Sequence, residues 1–458
     1  MRGGRFVTAL LLFAASLLWA QNEEFAVYTE APRLLLRPAR LRLTQRERER
    51  QSIRWQQFDS LITGGANIPE PGFAYALHYR VAQQPAIGKQ AVDWALSEKA
   101  NPSQPGHLRQ LAMVYDWCQP MMSPQELDRL GAKIERGLTT PAGFDIRAQP
   151  VEVAAARAFA ASALADRLPD HGSGVIKPIV VDWWREGVVA KLKSGGSGVP
   201  RESVYALFEL LHVIRDTVQI DLRDDARDFF HELPTDHLVS HYPAPIVTAE
   251  NLFRIPIYVR NGEPQLNDSV LSRAAEFAMV AYDSNAAENQ FLQGWLMQDR
   301  YIMRGALGSP YEFLWANPYQ PGLSYFQVPL VYHNAESGHL FARTSWDDDA
   351  TWLGYFEGNL QLFKDGQVQT LRRGAVADPV RVGDALILPA RTPGPDGFVR
   401  FRAEAEAIFV IGLAPRSTYT VEIDDQELRE ESTDTGGTLV IGLPENVAPA
   451  VRIRKTEN

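Results

Sequence analysis

Cysteine is nearly absent. Cys118 stands alone in 458 residues, which excludes an intramolecular disulfide and a thiolate metal cluster, so stability must come from packing. Histidine is sparse as well, nine in all, and none follows His339. Beyond the first twenty residues no run approaches the roughly 20 apolar residues of a membrane-spanning helix. Positive charge is in deficit, with 46 Lys and Arg against 56 Asp and Glu for a net −10, which argues against nucleic acid as a partner. An acidic chain can still hold an acidic sugar through a local positive patch.

The opening "MRGGRFVTALLLFAASLLWA" places Arg2 and Arg5 before an apolar stretch and ends on Ala20. That pattern predicts a cleavable secretory signal peptide over residues 1–20, hence a secreted or periplasmic protein with no membrane segment in its mature form. The roughly 438 residues that remain suffice for two or three domains. From residue 21 to about 321 apolar positions recur at three and four residues, which predicts antiparallel helix hairpins. "RLLLRPARLRLTQRERERQSIRWQQFDSLI" opens the series, with Leu41, Ile53, Trp55, Phe58 and Ile62 expected inside and "RERERQ" as a solvated face. Ser123, Pro124 and Glu126 form a capping-box signature. A dozen or so such helices are expected to close into a toroid.

From 322 to 458 the period falls to two, and Asp365-Gly366 suits a tight hairpin turn. The fold class expected is therefore multidomain α and β, an N-terminal (α/α) toroid followed by a shortened antiparallel β-sandwich.

Three stretches, "RLLLRPARLRLTQ", "LAMVYDWCQPMMSPQELDRLGAKI" and "SGHLFARTSWDDDATWLGYFEG", make the chain resemble the heparinase II/III-like polysaccharide lyases. The resemblance implies a toroid joined to a sandwich and β-elimination across a uronic acid. That reaction needs a neutralised carboxylate, a base for the C5 proton and an acid for the leaving oxygen. The family pattern places an Asn-His pair in the alanine-rich helix, a Tyr after a glycine turn two helices later, and a His in a sandwich strand. This chain has Gln149 and Glu152 where the pair is expected, no histidine after His339, and Tyr205 at the tyrosine position with Glu202 just before it. The resemblance therefore implies a protein that binds an acidic polysaccharide with weak or no elimination activity. Tyr205 is the one candidate base or acid.

The candidate substrate contacts are Gln149, Arg157, Arg201, Glu202, Trp184 and His241, with Arg147 a further cation near the cleft-forming segments. Neighbours such as Trp183 and Trp184 cannot both face inward on an α-helix, so one is expected near the surface. His237 and His241, four apart beside Asp236, would suit one metal if helical, but Pro234 and Pro243 predict an irregular turn, and His231 is read as solvent-facing. No metal and no cofactor is expected, and Asp347 to Asp349 read as a turn. Two other classes remain open: a glycoside hydrolase using carboxylates such as Asp116, Asp182 and Glu202, and a non-catalytic protein-interaction domain.

Overall fold

The structure is a computed structural model. It describes residues 25–168, 170–194, 199–247, 252–253, 266–299, 303–371, 378–389, 397–402, 404–425, 427–443 and 448–456. The expected signal peptide, the glycine turn at 195–198 and most of "RTPGPDG" (391–397), whose prolines and glycines predict a surface turn, lie outside the described residues.

Thirteen α-helices occur among the described residues: α1 (Pro38–Glu49), α2 (Ile53–Thr63), α3 (Pro71–Ala82), α4 (Pro85–Leu96), α5 (Pro105–Cys118), α6 (Pro124–Leu138), α7 (Val151–Ala163), α8 (Ala190–Lys193), α9 (Val204–Val218), α10 (Arg227–Val239), α11 (Leu266–Tyr282), α12 (Ala287–Gln298) and α13 (Gly308–Trp315). Five of the first six open on proline, whose missing N–H is no loss where no carbonyl waits for it. The capping box is present: Ser123 Oγ accepts from Glu126 N and the Glu126 carboxylate accepts from Ser123 N.

Every second helix lines a ring. α3 packs on α5, α5 on α7, α7 on α9, α9 on α11, α11 on α13, and α13 returns to α3. The ring is fastened where it closes, by Arg54 Nη1 donating to the carbonyl of Ala316 and by stacking of Phe58 on Phe313 at 5.2 Å. Because one outer helix separates successive inner ones, the six inner helices run parallel and their N-termini share one end. The alanine-rich face of α7 lets α5 and α9 approach closely on either side.

Three details depart from expectation. Ile53 is exposed, because it sits about 160° around α2 from the Trp55, Phe58 and Ile62 face that is buried. Pro234 lies inside α10 rather than ending it, since only one backbone bond is forfeited and the helix is held by packing. Trp183 and Trp184 are both buried. Their segment, Ile179–Val189, is π-helical, a wider winding that brings successive side chains closer in angle, and their rings lie 6.1 Å apart with planes at 31°.

β1 (Ile246–Val247) and β2 (Leu252–Phe253) pair with each other, and the later strands form three stacked layers. β3 (Val331–Asn334), β4 (His339–Arg343), β5 (Trp352–Phe356), β6 (Asn359–Lys364) and β7 (Gln367–Leu371) make a meander; β8 (Val380–Val382), β9 (Ala385–Pro389), β11 (Ala407–Ile411) and β14 (Leu439–Gly442) make a second sheet; β10 (Val399–Arg402), β12 (Thr418–Ile423), β13 (Glu427–Ser432) and β15 (Ala450–Lys455) make the third. Pairing is antiparallel except between β9 and β11. Along β11, Phe409 and Ile411 face the meander while Ile408 and Val410 face the third sheet, the period-two alternation of a strand buried on both sides. The meander turns its other face, with Phe341, Trp352, Phe356 and Phe363, to the helices. There Trp352 Nε1 donates to the Val239 carbonyl, Arg343 Nη2 to the His241 carbonyl and Tyr242 Oη to Gln361 Oε1. Outer helices run opposite to inner ones, so this docking at the C-terminus of α10 lies at the end where the inner helices begin.

Candidate functional site

At that end the centre of the ring is closed by one polar cluster. Alternate inner helices α5, α9 and α13 meet only across the interior, and they do so through Arg109, Tyr205, Glu209, Tyr311 and Trp315, with Glu70 from the N-cap of α3. Arg109 grips Glu209 with both branches, Nε to Oε2 and Nη2 to Oε1 at 2.6 Å each, and reaches Glu70 at 3.3 Å. Tyr205 Oη donates to Glu209 Oε1 at 2.5 Å and accepts from Trp315 Nε1 at 3.0 Å. The Tyr311 hydroxyl donates to Glu70, and its ring meets the Tyr205 ring edge-on at 4.9 Å.

Tyr205 is 4% exposed. Burial first, and then the Glu209 carboxylate, push its pKa well above the ordinary phenol value. Burial alone would lower Arg109, but Glu209, Tyr311 and Glu70 hold its pKa well above the usual value. The cluster is a satisfied ion pair with both tyrosine hydroxyls spoken for, so Tyr205 is a poor proton acceptor at neutral pH.

An open cavity of about 590 Å³ lies beside α7, between the loop after α6 and the π-helical segment. Arg157 enters it from α7, half-buried, with Nη1 on the Leu138 carbonyl at 3.1 Å and its guanidinium 4.9 Å over the Phe144 ring. Burial lowers its pKa, and among the described residues no carboxylate lies within ion-pair distance of it. Arg147 also lines the cavity, paired at 3.1 Å with Asp145, while Asp182 and Glu186 stand one π-helical turn apart on the opposite wall. The lining thus combines two arginines and an aromatic face with three carboxylates, Asp145, Asp182 and Glu186.

The remaining candidates fall in three places. Gln149 adjoins the cavity, its carbonyl accepting from Trp183 Nε1 at 2.9 Å; Glu152 accepts from Ser203 Oγ at 2.6 Å, linking the start of α7 to the residues ahead of Tyr205. Glu202 is exposed beside them, and burial, then Glu202, raises the Asp268 carboxyl. Trp184, fully buried, donates to the Leu222 carbonyl. Arg201 and His241 lie in a buried knot around Glu276, whose carboxylate meets His241 Nε2 at 3.1 Å, Arg273 Nε at 3.1 Å, Arg201 Nη2 at 3.4 Å and His237 Nδ1 at 3.6 Å. His241 and Arg201 thus serve the seam between helices and meander, and His231 remains exposed near Glu288. Asp116 is in the core, where it accepts from the backbone of Arg33 and Leu34 and anchors the chain entering α1.

No family model matches the chain, and no curated protein matches it. Among solved structures, one described as "Glycoside hydrolase" is similar over 94% of this chain and 77% of its own, at 10% identity and a TM-score of 0.32. A likeness at that level carries no argument about activity.

Among the described residues no cluster of three or more His, Cys, Asp or Glu could hold a metal ion, and no helix is long and apolar enough to cross a membrane. Sequence reading missed Arg109, Glu209, Glu70, Tyr311 and Phe144. Glu209 had a signal, lying four residues beyond Tyr205 on one helix face. Arg109, Tyr311 and Glu70 come from distant helices or their caps and Phe144 from the loop after α6, and they carry none.

Proposed function

We propose that the protein is an exported, heparinase II/III-like relative that binds an acidic carbohydrate in the Arg157 cavity and has weak or no β-elimination activity. The observation that carries this is Arg157: a half-buried guanidinium in an open cavity, backed by the Phe144 ring and with no carboxylate partner among the described residues. A sugar carboxylate can accept from its free N–H groups while the pyranose face packs on the ring. The state of Tyr205 supports the second half of the reading, because a buried hydroxyl already donating to Glu209 offers no lone base. Binding of oligogalacturonates by calorimetry tests it. Arg157→Ala is expected to lose at least tenfold in affinity; equal affinity in the variant sinks the assignment.

A second reading has one observation of its own. The Asp268 carboxyl is raised by burial and then by exposed Glu202, which puts two carboxylates near one another, and glycoside hydrolysis uses a pair of carboxylates. Release of reducing ends that stops in both Glu202→Gln and Asp268→Asn is the outcome that favours it.

A further inference from the structure

Residues 33 to 54 carry eight arginines and two glutamates, net +6, in a chain whose total is −10; the rest therefore carries −16. Several of these arginines are used internally. Arg33 pairs with Asp116 and Asp166, Arg40 lies 4.1 Å over the Trp315 ring, and Arg54 pairs with Glu47. Arg42, Arg46 and Arg50 are different. All three are exposed, and among the described residues none has a carboxylate within ion-pair distance. Spaced by four, they follow one face of α1 to its C-cap, about 6 Å apart along the axis.

A merely solvated helix face commonly interleaves signs at this spacing, and like charges four apart cost a few tenths of a kcal/mol each. The helix dipole favours Arg46 and Arg50 near the C-terminus but not Arg42 in mid-helix. At the end of the row Arg50 lies 5.2 Å over the ring of Tyr319, whose hydroxyl is held by Glu47 and which is 47% exposed. The row thus ends on a fixed, half-open aromatic face.

We propose that this arginine face of α1 is a docking strip for an extended polyanionic polysaccharide, with Tyr319 stacking under a sugar ring at its end. It shares the ligand class of the cavity reading but stands on different residues. The residues between the arginines are Leu43, Thr44, Gln45, Glu47, Arg48 and Glu49, of which only half-buried Leu43 is a large apolar side chain, so the face lacks the broad apolar flank of a membrane-lying helix; exposed Ile53 belongs to α2. The −16 of the remaining chain opposes a densely charged duplex more than a sparsely charged uronate polymer.

The test uses the full chain on immobilised polygalacturonate, comparing the parent with Arg42→Gln/Arg46→Gln/Arg50→Gln over a salt series. The expected result is at least a tenfold loss of affinity and a shallower salt dependence in the triple variant, with the same thermal midpoint as the parent. Unchanged affinity overturns the proposal. So does a parent that binds phosphatidylglycerol vesicles or duplex DNA but not polygalacturonate. Galacturonate monomer, too short to bridge arginines about 6 Å apart, reads the cavity separately through Arg157→Ala, so failure of one site is told apart from failure of the other.

Discussion

Tyr205 and Glu209 are joined across one turn of α9 by a 2.5 Å hydrogen bond in which the phenol is the donor. That bond fixes the tyrosine as a structural partner of the Arg109–Glu209 pair. Tyr205→Phe removes the donor to Glu209 and the acceptor of the buried Trp315 Nε1. The expected outcome is a loss of roughly 1 to 3 kcal/mol in urea unfolding, with carbohydrate affinity unchanged. Intact stability with lost affinity would contradict it.

Arg109 is the cation on which the ring's interior closes. Arg109→Met strands Glu209, only 1% exposed, and is expected to cost about 3 to 5 kcal/mol, the usual penalty for leaving a buried charge alone. Adding Glu209→Gln should recover part of the loss, and a double-mutant cycle measures the coupling. Strict additivity of the two substitutions would refute the pairing.

The toroid was legible because its signals are local and repeated: proline at helix starts, the Ser123–Glu126 box and apolar positions three and four apart. The hairpin at Asp365-Gly366 was equally local, and Asp365 does adopt the left-handed conformation at φ 52°. What escaped was set by distant packing. Nothing near Trp183 announces a π-helix, and Pro234 is tolerated because α10 is clamped by α12 and the meander. The same holds for the site. Tyr205 could be singled out, but its burial depends on Arg109, Tyr311 and Trp315, each from another helix. The cavity arises where the loop at 140–147 meets the π-helical segment, a juxtaposition that no spacing in the chain encodes.

Glu312 gives the account a pH signature. Its Oε2 accepts from Met303 N at 2.5 Å, while Oε1 has no hydrogen-bond partner, and burial raises its pKa to about 7. A carboxyl raised in the folded state stabilises fully below its unfolded pKa, near 4.5, and that contribution is lost as pH rises through about 7. The stability of the parent relative to Glu312→Gln is therefore expected to fall by roughly 1 to 3 kcal/mol between pH 4.5 and pH 8. Urea unfolding at the two pH values checks this; a difference that stays flat or rises is the opposing result.

The seam between helices and meander should behave as one unit. Glu276→Gln weakens the anchor of Arg201, Arg273 and His241 together, so thermal unfolding is expected to lose its cooperativity or drop by several degrees. An unchanged transition would show that the meander is held by its apolar face alone.

The most direct test of the central claim mixes parent, Tyr205→Phe and Arg157→Ala with oligogalacturonates, following binding heat together with ultraviolet absorbance of an unsaturated product. The account predicts binding by the parent and by Tyr205→Phe, weakened binding by Arg157→Ala, and flat absorbance in all three. Absorbance that climbs with the parent and stays flat with Tyr205→Phe would make Tyr205 the working base and contradict the account.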